Sequence, residues 1–247
     1  MGNYKQLFKQ PQFKAKLLGI PLVILGIILL LYQTDISIKI GFSCILIGLF
    51  MIVMITEKTV PELISNAQIK GHSDALKNIT SQLNLKGNAW IIPSHDLLSE
   101  ERVFIPLHSS KISLPPLDDD IVFATGTDGT SLGIILPPSG LSLLHEVEKH
   151  ISFTDTEIER VEEKLQTFVG MDILRSISLK QKKGQWNLIL ERPLYCTRDE
   201  RFCKQYPCPS CSAVLTAISK ATNQKIQIQD TVHNGKKTTF YFTTMRL

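Results

Sequence analysis

The sequence predicts an α+β globular domain preceded by a transmembrane α-helical hairpin. Two almost uncharged apolar runs, residues 17–32 and 40–55, come before any amphipathic segment. After them, several short antiparallel hairpins alternate with flanking helices, which is the pattern of an α+β domain. A group of four cysteines follows between Cys196 and Cys211. We expect a tail over 1–16, the hairpin over 17–56, a helix over 57–86 and the α+β domain over 87–247.

The two apolar runs have the length and composition of membrane spans, which we place at 17–33 and 37–56. About 20 apolar residues cross a bilayer as a helix, and neither run carries the polar stripe of a soluble helix. Gly19 and Gly26 are spaced like Gly41 and Gly48. If the chain reverses near Asp35, the glycines lie level in pairs, which lets the two helices approach closely.

Charge predicts the orientation of this hairpin. Residues 1–16 contain four lysines and no acid, so the N-terminus is expected in the cytoplasm. After two crossings, the C-terminal domain is expected in the cytoplasm as well, as part of a multi-pass cell-membrane protein. A cleaved signal peptide is the competing interpretation, but no small-x-small site follows the first run.

The net charge of +4 comes from the segment before position 40, where five of the 27 basic residues and one acid lie. The rest of the chain is balanced. The basic excess therefore indicates topology and contact with the lipid bilayer, and no nucleic-acid partner is expected.

A helix is predicted over residues 59–85, with Thr59 and Glu62 as a capping box. Its apolar residues recur at steps of three and four, as in a coiled coil. The members of this seam are Ile69, His72, Leu76, Ile79 and Leu83. The seam either packs on the globular domain or binds a protein partner or a second copy of the chain.

Four strands and two helices are expected next. The strands are 88–93, 103–107, 121–125 and 132–136, the last two flanking a turn at Asp128 and Gly129. Helices follow over 141–150 and 154–169. Two further hairpins turn at Gly184 and at Asn234-Gly235, and between them a helix starts at Ser210 or Cys211 and ends near Ala221.

The cysteines carry the strongest chemical signal. Cys196, Cys203, Cys208 and Cys211 are spaced C-x6-C-x4-C-x2-C. Four thiolates can close a tetrahedral structural zinc site, and the two-residue gap is that of a zinc knuckle. The same donors suit an iron–sulfur cluster, with zinc favoured. Disulfides, and ordinary thiols without a special role, are further interpretations.

A redox interpretation takes Cys208 and Cys211 as a dithiol at a helix N-terminus, where the helix dipole lowers a thiol pKa. These residues form the sequence Cys-Pro-Ser-Cys, which resembles the Cys-Pro-x-Cys of glutaredoxins over four residues. No catalytic constellation accompanies them: His145 and His150 are five apart, whereas metalloprotease histidines are four apart on a helix.

The layout of two N-terminal apolar helices before a cysteine-bearing domain, with the segment 207–212 opening a helix, resembles uncharacterised archaeal membrane proteins. This resemblance implies no activity. The sequence thus predicts a membrane-anchored, non-enzymatic interaction or sensor module with a four-cysteine metal site. The alternative is a membrane-anchored redox protein that works through an iron–sulfur cluster or the dithiol.

Overall fold

The computed structural model describes residues 11–32, 34–54, 62–108, 118–125, 132–154, 156, 158–182, 184–194, 196 and 199–246. The predicted turn at Asp128 and Gly129, the cap at Thr59 and most of the basic tail lie outside these residues. The chain divides into two compact units, Met1–Glu62 and Leu63–Leu247.

The first unit is a pair of antiparallel helices, α1 (Pro11–Leu31) and α2 (Asp35–Met54). The predicted pairing of the glycines is confirmed. A Cβ atom on Gly26 would lie 2.7 Å from the carbonyl oxygen of Gly41, and one on Gly48 would lie 2.9 Å from that of Gly19. All four glycines are buried between the helices. Because they lack side chains, the two backbones can approach closely at these positions.

Among the residues of this unit that the structure describes, one helix is long and apolar enough to cross a membrane, namely α2 over Asp35–Ile52. The apolar stretch of α1 that the structure describes with its side chains, Gly19–Leu31, is shorter. Most of the large apolar side chains on both helices face outward, such as Leu31, Phe42 and Phe50.

The second unit opens with α3 (Glu62–Gln82). The seam predicted for this helix packs on the domain only in part. Leu76 is buried, but its buried neighbours are Ser73 and Thr80, whereas Ile79 and Leu83 are 46% and 38% exposed. The buried stripe is shifted around the helix, because the small polar residues allow α3 to lie close to the domain.

The predicted hairpins join into a single eight-stranded antiparallel sheet with the order β3-β4-β2-β1-β7-β8-β6-β5. The strands are β1 (Trp90–Ile92), β2 (Arg102–Pro106), β3 (Phe123–Thr125), β4 (Leu132–Leu136), β5 (Ser176–Lys182), β6 (Gln185–Glu191), β7 (Gln224–Asn234) and β8 (Lys237–Arg246). The two four-stranded halves meet where β1 pairs with β7.

Helices cover one face of this sheet: α4 (Leu141–Glu148), α5 (Ile158–Gly170) and α7 (Pro209–Thr222). The innermost is α7, whose residues from Ser210 to Ser219 are all buried. A smaller apolar cluster around Trp90 and Phe104 fills the other face of the sheet, where Leu98 packs on it. A short helix that the sequence did not predict, α6 (Glu200–Gln205), precedes α7.

Candidate metal centre

The four predicted cysteines lie on three neighbouring pieces of chain. Cys196 follows β6, Cys203 lies in α6, and Cys208 and Cys211 stand at the start of α7. Cys208 is the N-cap of α7 and Pro209 follows it, where a proline ring costs no hydrogen bond. Cys203, Cys208 and Cys211 are buried, and Cys196 is half-buried.

Cys196 is the residue around which the other three thiols are arranged. The Sγ atoms of Cys196, Cys208 and Cys211 all lie within 4.8 Å of one another. The Sγ atom of Cys203 also lies within 4.8 Å of that of Cys196. The structure therefore brings together all four cysteines that the sequence singled out.

This environment keeps the buried thiols protonated. Hydrogen bonding to Cys196, followed by burial, raises the pKa of Cys203. The bond to Cys196 also raises the pKa of Cys208, although its bond to Cys211 opposes this, and the bonds to Cys196 and Cys208 raise that of Cys211. Thiolates crowded away from water repel one another, so ionisation of several of them together requires a compensating cation.

A network of polar contacts fixes α6 and with it Cys203. The Asp199 carboxylate caps this helix by accepting a hydrogen bond from the Phe202 N–H, and it pairs with Lys77 of α3 at 2.8 Å. Lys204 pairs with Asp230 of β7. The Gln205 amide donates to the carbonyl of Leu85 at 2.6 Å. The helix is thus tied to α3 on one side and to β7 on the other.

The start of α7 is held from the opposite direction. The hydroxyls of Ser139 and Ser210 donate to the carbonyls of Pro207 and Leu194, each at 2.6 Å. The Tyr206 hydroxyl donates to the carbonyl of Pro137, and burial raises the pKa of Tyr206 to about 12. These contacts lie on both sides of Cys208 and Cys211, so the backbone that carries the two thiols is fixed before any ligand binds.

Sequence reasoning missed a further potential donor, His233 of β7. One of its ring nitrogens lies within 4.8 Å of the Sγ atoms of Cys196 and Cys203. The donor atoms thus fall into two sets of three that share Cys196. Neither the spacing of the cysteines nor any histidine motif indicates His233, which lies more than 20 residues after the last cysteine.

A β-bulge explains how His233 reaches the cysteines. In a regular strand His233 would face away from Ile226 and Ile228, because alternate residues point to opposite faces. The ladder between β7 and β8 shifts between Ile228 and Asp230, so that His233 pairs with Thr238. The extra residue reverses the alternation and turns His233 to the helix-covered face.

These cysteine and histidine side chains could hold a metal ion. Zinc binds thiolates at about 2.3 Å and imidazole nitrogens at about 2.0–2.1 Å, so its donors lie within about 4 Å of one another. The two sets of donors come near this spacing. Because most of the donors are buried, an ion bound by them would be enclosed by protein.

Comparison with protein families gives one match. A family model described as "Domain of unknown function (DUF7982)" matches residues 13–174, well over half of the chain. This segment runs from α1 beyond α5 and ends before the cysteines. Neither the curated proteins nor the solved structures contain a match to the chain.

Proposed function

We propose that the chain, which belongs to the DUF7982 family, is a membrane-anchored, non-enzymatic interaction or sensor protein with a structural metal site. Its ligands are Cys196, Cys203, Cys208 and Cys211. The observation that carries this proposal is the convergence of three sulfur atoms within 4.8 Å of one another, with the sulfur of Cys203 within the same distance of Cys196.

Zinc suits these residues best. A zinc ion stabilises thiolates directly and so removes the cost of ionising several buried thiols side by side. The ion would link the segment after β6, α6 and the start of α7. A structural site in which protein residues occupy every coordination position leaves no place for a substrate, which agrees with a non-enzymatic role.

The surface of α1 and α2 supports a membrane anchor. Leu31, Phe42 and Phe50 are each at least 60% exposed, and each such side chain costs about 1.5–3 kcal/mol when it is left in water. Lipid would cover these side chains, while the glycines hold the two helices together. The four lysines before α1 favour a cytoplasmic N-terminus, and a hairpin then places the globular unit on the same side.

The exposed Ile79 and Leu83 of α3 favour binding to a protein partner or a second copy of the chain. They stand four residues apart and form one apolar strip on the helix surface. If this strip mediates self-association, Ile79→Glu with Leu83→Glu reduces the dimer measured by analytical ultracentrifugation in detergent. If the variant dimerises as much as the wild type, or if the wild type is a monomer, the strip does not mediate self-association, and a different protein is then the proposed partner.

The metal content of the full-length protein tests the proposed site. The chain is purified anaerobically in detergent, and zinc and iron are measured by elemental analysis. At least one zinc per chain and no visible absorption are expected. Cys203→Ser and Cys211→Ser should lose metal, whereas Cys44→Ser in α2 is the matched control and should retain it. A wild-type protein without metal would overturn the proposal.

An iron–sulfur cluster is the second candidate. The four cysteines supply the number of thiolates that such a cluster requires. A broad absorption band near ~400 nm, together with iron and sulfide, would favour this function. A Cys208/Cys211 dithiol has less support, because reactive dithiols have a lowered thiol pKa and here both are raised.

A further inference from the structure

We infer that His233 is a ligand of the bound metal through Nε2, next to Cys196 and Cys203. This inference rests on the proposed function and deepens it: nitrogen takes the place of one of the four predicted sulfur ligands, so the four-coordinate shell becomes a mixture of sulfur and nitrogen. The shell then includes a residue from the sheet as well as residues from the cysteine segment.

His233 lies close to two of the cysteines. A ring nitrogen of His233 and the Sγ atoms of Cys196 and Cys203 form a set with no separation above 4.8 Å. Small movements of these side chains would bring all three to bonding distance of one zinc ion. Since Cys196 also belongs to the set with Cys208 and Cys211, an ion bound at Cys196 can be reached by donors from both sets.

The two nitrogens of the imidazole provide the second argument. Nδ1 lies 3.0 Å from the hydroxyl oxygen of Thr238 on the neighbouring strand. Nε2 is buried and has no hydrogen-bond partner among the residues that the structure describes. A buried polar atom without a partner costs about 1–3 kcal/mol. Coordination of a metal by Nε2 removes this cost.

The role of Thr238 matches that of the residue behind a metal-binding histidine. For Nε2 to coordinate a metal, the proton of the neutral imidazole must lie on Nδ1, which then donates to Thr238. A hydrogen bond of this kind fixes the tautomer and the orientation of the ring. Thr238 is buried, so water does not compete for this hydrogen bond.

The backbone around His233 is fixed with respect to α6. The His233 N–H donates to the Glu200 carboxylate at 3.0 Å, and Asp230 pairs with Lys204. Both α6 residues flank Cys203, so the same contacts position the cysteine and the histidine relative to each other. A histidine that only packed at the end of β7 would not need a backbone contact with α6, the helix that carries Cys203.

X-ray absorption spectroscopy of the full-length zinc-loaded protein tests the inference. The expected spectrum contains sulfur at about 2.3 Å and an imidazole nitrogen at about 2.0–2.1 Å. His233→Ala should remove the nitrogen and weaken zinc binding at least tenfold. Thr238→Val should keep the nitrogen but weaken zinc binding about tenfold, as the loss of an orienting hydrogen bond does. His150→Ala, on an exposed histidine, is the matched control and should change neither property.

His233→Cys is a second variant, which distinguishes the loss of a ligand from a failure of His233→Ala to fold. It replaces one zinc donor by another and should restore binding with a shell of sulfur alone. A wild-type shell of sulfur alone, or a His233→Ala spectrum identical to that of the wild type, would overturn the inference and leave the cysteine site standing. Absence of any bound metal would overturn both.

Discussion

The carbonyl oxygen of Gly41 lies only 2.7 Å from the position that a Cβ atom on Gly26 would occupy. Gly26→Ala should therefore push α1 and α2 apart at a cost of about 1–3 kcal/mol, the usual range for overpacking. The midpoint of SDS-induced unfolding in mixed micelles, followed by Förster transfer between the two ends of the hairpin, should fall. Ser43→Ala, on the exposed face of α2, should leave it unchanged. An equal effect of both changes would show that the glycines do not form the contact.

Gly71 and Gly184 both have open space where a Cβ atom would lie, and they should respond in opposite ways to alanine. Gly71 lies inside α3, so Gly71→Ala should stabilise the domain by about 0.5–1 kcal/mol through helix propensity. Gly184 has φ +79° in the turn between β5 and β6, so Gly184→Ala should cost about 1–2 kcal/mol. Urea unfolding, monitored through the two buried tryptophans, measures both. Stabilisation by both changes would contradict the left-handed turn.

Lys220 joins a buried acid, Glu101, to a half-buried one, Glu148, and should contribute strongly to stability. Its Nζ atom lies 3.1 Å from a carboxylate oxygen of Glu101 and 2.8 Å from one of Glu148. Glu101 is only 2% exposed, so Lys220→Met leaves a buried charge without compensation and should cost about 3–5 kcal/mol. The double change with Glu101→Gln should recover part of this loss in urea unfolding. If the double variant recovers no stability, the loss in Lys220→Met comes from altered packing around the methionine and not from the uncompensated charge of Glu101.

The same lysine predicts how stability depends on alkaline pH. Burial lowers the pKa of Lys220, but its contacts with Glu148 and Glu101 together outweigh burial and raise the pKa above the usual 10.5. A folded-state pKa above that of the unfolded chain contributes stability below pH 10.5, and this is lost as the pH rises through the folded-state value. Lys220→Met should remove that component from the pH dependence of unfolding. A profile of the same shape in both proteins would exclude this role.

Asp199 should affect metal binding without touching the metal. Asp199→Ala removes the cap of α6 and its link to Lys77, so Cys203 loses part of its support. The loss of a cap costs about 1 kcal/mol, and a chelator should remove zinc from this variant faster than from the wild type. Asp199→Asn can still accept the hydrogen bond from the Phe202 N–H and should lie between the two. Equal rates of zinc removal from all three proteins would show that the stability of α6 does not affect the metal site.

The proposed topology predicts opposite labelling of two introduced cysteines. Tyr32 in the helical turn and Leu97 in the globular unit are 72% and 61% exposed. In intact cells, a membrane-impermeant thiol reagent should label Tyr32→Cys. It should label Leu97→Cys only after the cells are permeabilised, and wild-type protein gives the background from the native cysteines. Labelling of Leu97→Cys in intact cells would contradict the cytoplasmic placement of the globular unit.

The sequence predicted features that depend on residues close together in the chain. The hairpin turn at Gly184, the antiparallel pairing of β3 with β4 and the pairing of the glycines are confirmed. The last hairpin is confirmed as well, but its turn begins one residue later than predicted, because Asn234 still pairs with Lys237 and Gly235 follows it with a positive φ. The missed features depend on irregular or distant structure. Helix α6 is too short to show a periodicity, and the bulge that turns His233 to the cysteines has no sequence signature.

The pairing of β1 with β7 has a consequence for the order in which the protein folds. Ile91 of β1 pairs with Ile226 of β7. During synthesis, β1 therefore remains an unpaired edge strand until β7, near the end of the chain, has been made. The N-terminal half cannot close its sheet while the ribosome is still translating the cysteine segment. Such distant pairing slows folding and leaves a strand edge open to aggregation. Growing chains that stall before β7 should therefore depend on chaperones, even though they already contain the whole segment that the family model matches.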